Sequence, residues 1–189
     1  MALTNTQLED LAKRMKIQLE RVCFKDELDD EPLKYNVAYI INMENEKDEN
    51  GETNLGTHWT CFYVKKLPNK TVEPIYMDSF GMPPPIEVTK YTGFKHVPYN
   101  TVDIQSLCDN VCGFYCLAFL QYISVFQQRT QILYTDCEDW TYLFKDLNKC
   151  NDYQHNIAML KSFFESSDPA ERARNPIDFN EGKVFTPNK

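Results

Sequence analysis

Apolar residues Leu8, Leu11, Ala12, Met15, Leu19 and Val22 recur three or four positions apart, the spacing of one helical face, and predict an amphipathic helix over residues 6–22. Thr6 with Glu9 fits a capping box at its start. The acidic run 26–31, closed by Pro32, reads as a solvated connector. The period then changes to two. Val37, Tyr39 and Ile41 alternate with Ala38 and Ile40, which predicts a strand over 36–42. Residues 44–54 are almost all polar and contain Gly51, so they read as an exposed loop. A second strand is expected over 57–65, with His58, Thr60, Phe62 and Val64 on one face and Trp59, Cys61 and Tyr63 on the other. Pro68-Asn69-Lys70 marks a turn, and 72–78 returns as the partner strand. That hairpin would bring Asp78 and His58 to the same end. Pro83-Pro84-Pro85 enforces an extended stretch, and 94–98 is expected to be a short strand before the loop that carries Gln105.

Residues 113–126 are apolar on almost every side, which predicts a buried central helix. Two more helices are expected, over 137–147 (Trp140, Leu143, Phe144, Leu147) and over 153–164 (Ile157, Leu160, Phe163, Phe164). After Ser166 the chain turns polar, with Pro169, Pro176 and Pro187. No internal repeat is present. The fold class expected is α+β: a central mixed sheet packed on a buried helix. One domain is expected over 1–189, made of an N-terminal helix and connector (1–35), a core (36–165) and a polar tail (166–189).

Composition narrows the classes. A chain of 189 residues that is 42% hydrophobic and 13% aromatic can fill one core. The longest apolar stretch, 114–125, is broken by Gln121 and Ser124 and falls short of the ~18 residues a membrane span needs. No signal-peptide pattern opens the chain, so synthesis in a reducing compartment is expected, with the seven cysteines mostly free thiols. A net charge of −8 argues against general affinity for phosphate backbones. The basic runs are short: Lys13-Arg14-x-Lys16, Lys65-Lys66 with Lys70, and Arg172-x-Arg174. Weak or no nucleic-acid binding, no membrane association, no cofactor and a monomer are expected.

Candidate chemistry lies in three blocks: Gly56-Thr57-His58-Trp59, Asp78-Ser79-Phe80-Gly81, and the run from Gln105 to Cys112-Gly113. They supply an imidazole base, a carboxylate to orient it, an amide donor and a thiol, the four functions of nucleophilic acyl chemistry by cysteine. Cys112 lies where a loop meets the central helix, where backbone N–H groups and the helix dipole favour a thiolate. His58 would serve as base or imidazolium partner, Asp78 would fix its tautomer, and Gln105 would donate to an oxyanion. Trp59 and Gly113 are candidate substrate-binding residues, Trp59 by packing over the site and Gly113 by admitting a close backbone. Blander readings stand beside these: a buried structural cysteine, a strand-end Asp, a core tryptophan. A zinc site from Cys108, Cys112 and Cys116 lacks the second ligand pair that structural zinc usually has, so no metal is expected.

These blocks resemble the adenain-like and Ulp-type cysteine proteases. In that group a His-Trp pair, an acidic residue on the next strand, and a Gln six or seven residues before a Cys-Gly recur in this order. The seven-residue offset from Gln105 to Cys112 and the Asp78-Ser79-Phe80-Gly81 step look adenovirus-type, although adenovirus-type members carry Glu where Asp78 stands. Thr6-Gln7-Leu8-Glu9-Asp10-Leu11 and Tyr39-Ile40-Ile41-Asn42 are similar to proteases of virophages and Maverick/Polinton elements, in particular of the mavirus type. The specific motifs span 56–120. The resemblance implies a cysteine endopeptidase that cuts viral capsid or other structural precursor polypeptides during virion maturation. Cleavage after glycine or another small residue is implied, as is localisation to the virion and the host cytoplasm at the assembly site. An activating peptide is left open as a further partner. An isopeptidase acting on ubiquitin-like tails would use the same four residues, and a non-catalytic zinc or protein-binding module is the remaining alternative.

Overall fold

Four strands with alternating side chains build one mixed sheet. They are β1 (Leu19–Phe24), β2 (Val37–Asn42), β3 (Trp59–Lys66) and β4 (Val72–Met77), in the order β1-β2-β3-β4. β1 runs parallel to β2; β2–β3 and β3–β4 are antiparallel. The computed structural model describes residues 3–126 and 133–164, together with a strand pair at Ile177–Asp178 (β5) and Lys183–Val184 (β6). The tail expected over 166–189 otherwise lies outside the described residues.

Each strand sends alternate residues to opposite faces, so the sheet carries two apolar clusters. Ala38, Ile40, Trp59, Cys61, Tyr63, Ile75 and Met77 face one. Tyr39, Ile41, Phe62, Val64 and Tyr76 face the other. The first cluster is closed by α3 (Cys112–Phe126), flanked by α1 (Asn5–Arg14), α4 (Leu133–Thr141) and α5 (Tyr153–Ser162). From Phe114 to Leu120 no side chain of α3 is more than 1% exposed, as its all-round apolar sequence requires. Burying side chains of this size stabilises the fold by about 1.5–3 kcal/mol each. The second cluster lies under α2 (Ile86–Thr92) and the 3-10 turn Lys25–Asp30.

The N-terminal third departs from the expected single helix. α1 ends at Arg14 and the chain re-enters as β1. The stop is a Schellman motif. Lys16 takes a left-handed φ of 58°, its N–H bonds to Lys13 C=O (3.2 Å), and Ile17 N–H bonds to Ala12 C=O (2.9 Å). A lysine in the place usually held by glycine hid this stop. Leu19 and Val22, which fit the helical period, belong to the strand. The capping box is formed two residues earlier than expected, by Thr4 and Gln7. Thr4 N–H donates to Gln7 Oε1 (2.9 Å), and Gln7 N–H donates to Thr4 Oγ1 (3.3 Å).

Other differences are local. The connector over 26–31 is the 3-10 turn, which buries Leu28. The expected strand over 94–98 is replaced by α2 just upstream and a single parallel bridge, Tyr76 to Tyr99. Pro85 caps α2; proline suits helix starts because its missing N–H is not needed there. The helix expected over 137–147 ends at Thr141 as α4, with Trp140 and Phe144 in the core and Leu143 39% exposed. No helix among the described residues is long and apolar enough to cross a membrane.

Candidate active site

The β3–β4 hairpin brings the first two site residues together. Cys61 pairs with Met77, and continuing that register past the strand ends sets His58 level with Phe80. His58 is held from behind by Met43, whose N–H bonds to the His58 carbonyl at 2.9 Å. Its Nε2 lies 2.9 Å from Asp78 Oδ1. The Cys112 sulfur acts on the same imidazole and, like Asp78, favours its protonated form. The ring of Phe80 covers the imidazole, with centroids 4.6 Å apart and planes inclined by 33°.

Asp78 is fixed from several directions. Its Oδ1 also accepts the N–H of Phe80 at 2.8 Å. Its backbone N–H donates to Asn100 Oδ1 (2.9 Å), and its carbonyl accepts from Asn100 Nδ2 (2.6 Å). The turn closes with Gly81 N–H on the Asp78 carbonyl at 2.9 Å. Gly81 has φ +70°, and a Cβ there would sit 2.9 Å from the carbonyl carbon and oxygen of Thr101. Gly81→Ala should therefore destabilise the protein by about 1–3 kcal/mol. At this chain length each kcal/mol lowers Tm by about 2–4 °C, which calorimetry would read. An unchanged Tm would contradict this account of the turn.

Cys112 is the first residue of α3 and is 3% exposed. Its sulfur accepts the backbone N–H of Trp59 at 3.5 Å. Burial alone would push the imidazolium of His58 towards losing its proton. The hydrogen bond and charge of Asp78, with the Cys112 sulfur, outweigh burial and hold the pKa up at about 9, against an ordinary 6.5. An imidazolium favoured by both a carboxylate and a cysteine sulfur is the setting in which a cysteine serves as nucleophile. Two other buried thiols are pushed away from ionisation. Burial raises Cys23 to about 12, and burial together with the neighbouring free thiol of Cys61 raises Cys116 well above the ordinary value.

Gln105 is 3% exposed and spans the two halves of the site. Its Oε1 accepts from Ser79 Oγ at 2.8 Å, and its Nε2 donates to the Asp109 carbonyl at 2.7 Å. It is thus tied both to the Asp78 turn and to the loop that leads to Cys112.

The two candidate substrate-binding residues face elsewhere. Trp59 is 4% exposed in the core cluster around α3, with its indole N–H on the Leu3 carbonyl at 2.8 Å. The aromatic ring on the imidazole is Phe80, not Trp59. At Gly113 an added Cβ would meet Leu8 Cδ2 at 3.0 Å and Leu3 Cδ1 at 3.2 Å. The missing side chain makes room for the N-terminal arm. Ser79 and Asn100, which position Gln105 and Asp78, were not singled out from sequence. Ser79 adjoins a candidate residue, which was the one available signal; nothing local marks Asn100. Among the described residues no group of three His, Cys, Asp or Glu side chains is arranged to hold a metal ion.

The architecture is a mixed α+β fold with a four-stranded mixed sheet. Among solved structures it is similar to a selenomethionine crystal structure of the ASFV pS273R protease. The two share 15% identity over 76% of this chain and 68% of that chain, with a TM-score of 0.39. No protein-family model and no curated protein sequence matches the chain.

Proposed function

We propose that the protein is a cysteine endopeptidase. The observation that carries this reading is the Asp78–His58 pair, at 2.9 Å, with an imidazole whose protonated form Cys112 also favours and with that cysteine at the start of a buried helix. The Cys112 thiolate attacks the scissile carbonyl. The imidazolium of His58, oriented by Asp78, protonates the departing amine, and a water activated by the neutral imidazole then releases the acyl group. The oxyanion formed at each step is met by the Cys112 backbone N–H and the Gln105 amide.

The finer reading rests on the motif resemblance, above all the seven-residue step from Gln105 to Cys112. It makes this a maturation protease of the virophage and Maverick/Polinton kind. The substrates are capsid or other structural precursors, cut after glycine or another small residue in the virion or at the assembly site in the host cytoplasm. The test is to co-express the chain with candidate capsid proteins, with and without Cys112→Ala, and to map new termini by mass spectrometry. Termini that follow a small residue and need Cys112 support the reading; cuts that persist in Cys112→Ala reject it.

DNA is not proposed as an activator. Of the basic runs, Arg14 pairs with Asp10 at 3.6 Å, Lys65 is only 6% exposed, and Lys66 lies over the Tyr35 ring at 4.8 Å. Arg172 and Arg174 lie outside the described residues. Peptide cleavage should be nearly the same with and without duplex DNA at physiological salt. A strong acceleration that salt abolishes would contradict this.

A further inference from the structure

We propose that Ser79 is a positioning residue that sets the orientation of the Gln105 amide, so that the Asp78-Ser79 dipeptide aligns both the base and the oxyanion donor. This rests on the proteolytic reading of the site. An amide presents an acceptor at one end and two donors at the other. Here the Asp109 carbonyl, which can only accept, faces Nε2 at 2.7 Å, so Oε1 points to Ser79, whose hydroxyl donates at 2.8 Å. One N–H of Nε2 is thereby used and the other remains for the oxyanion.

Both side chains are buried, Ser79 to 1% and Gln105 to 3% exposure, so water cannot readily replace the hydroxyl. Without it, Oε1 is left buried and unpartnered, and the amide swings to relieve that. The backbone repeats the linkage. The Ser79 carbonyl accepts the N–H of Ile104 (2.8 Å) and of Gln105 (3.1 Å). The loop carrying Gln105 is therefore registered against the residue next to Asp78 through both main chain and side chain.

The test is a double-mutant cycle on a fluorogenic peptide amide with glycine before the cut, using wild type, Ser79→Ala, Gln105→Ala and the pair. Ser79→Ala should lower kcat by about tenfold with KM within about twofold, and should add less than about twofold in the Gln105→Ala background. Ser79→Thr, which keeps the hydroxyl, should restore part of the rate. Iodoacetamide should alkylate Cys112 at an unchanged rate, because the His58 pair is not touched. Full additivity in the double variant, or a parallel fall in alkylation, would overturn the proposal.

If Ser79→Ala does not fold, Ser79→Cys, of nearly the same size with a weak donor, reads the same effect. The side-chain amide resonances of Gln105, assigned by their loss in Gln105→Ala, supply a readout independent of cleavage. They should move and exchange faster in Ser79→Ala or Ser79→Cys; unmoved resonances overturn the proposal even if the protein cleaves no peptide. A Cys112→Ala variant that still cleaves would instead reject Cys112 as the nucleophile and leave the amide test standing.

Discussion

Cys112→Ala should abolish peptide cleavage and leave the fold intact. The thiolate is the only group in the proposed mechanism that bonds to the substrate carbon, so no neighbour replaces it. Folding should survive because the residue opens α3, where alanine is a good helix former, and because, among the described residues, the donor that loses its sulfur partner is the Trp59 backbone N–H at 3.5 Å. Residual turnover should fall by a factor of about 10⁴ or more. The same change removes one of the groups that hold up the His58 pKa, so the imidazole should titrate below the wild-type value of about 9. Circular dichroism, a cleavage assay and an NMR titration of His58 check the three statements. Retained cleavage with Cys108 or Cys116 as the reactive thiol would remove Cys112 from the mechanism.

Asp78→Asn should slow turnover by roughly 10²-fold or more. The carboxylate accepts from Nε2 and favours the imidazolium, and an asparagine amide no longer does. The pH behaviour follows from the raised pKa. The folded value is about 9, against an ordinary 6.5. The imidazolium is present in folded and unfolded chains alike below the lower value, and in the folded chain alone between the two. Its stabilisation is therefore complete below about pH 6.5 and is lost as pH rises through about 9. Wild-type stability should decline over that window, and Asp78→Asn, which lowers the folded pKa, should flatten the decline. Denaturant unfolding at several pH values would show it. Parallel curves for the two proteins would mean that Asp78 does not hold the charge on His58.

Much of the sheet was legible because its strands obey one period. Val37, Tyr39 and Ile41, and then Trp59, Cys61 and Tyr63, alternate without interruption, and β2, β3 and β4 follow them. The all-apolar run after Cys112 likewise has one outcome, a helix covered on every side. The 6–22 segment was misread because Leu19 and Val22 satisfy the helical period as well as the strand period. The deciding event, Lys16 in a left-handed conformation, has no glycine to announce it. α2 was missed because a proline triplet was read for the extended chain it enforces, not for the helix start it permits.

In the site, the contact between His58 and Asp78 follows from hairpin geometry, which a turn at Pro68-Asn69-Lys70 makes legible. The clamp by Asn100, 22 residues from Asp78, and the bond from Ser79 to Gln105, 26 residues apart, do not. They arise only when the loop after α2 folds back beside β4, with Tyr76 N–H on the Pro98 carbonyl. Gly113 and Trp59 were assigned to substrate by their neighbours in sequence. Their partners, Leu3 and Leu8, sit more than fifty residues earlier.

The order in which the seven thiols react distinguishes an activated Cys112 from an inert one. Access and activation predict different orders, because Cys108 is exposed whereas Cys112 is buried. Folded protein treated briefly with substoichiometric iodoacetamide at about pH 6, where an ordinary thiol of pKa ~8.5 is almost wholly protonated, would be mapped by mass spectrometry. Cys112 should be labelled first, and that preference should be lost in His58→Ala. Label on Cys108 first, with Cys112 untouched and His58→Ala without effect, would contradict an activated Cys112.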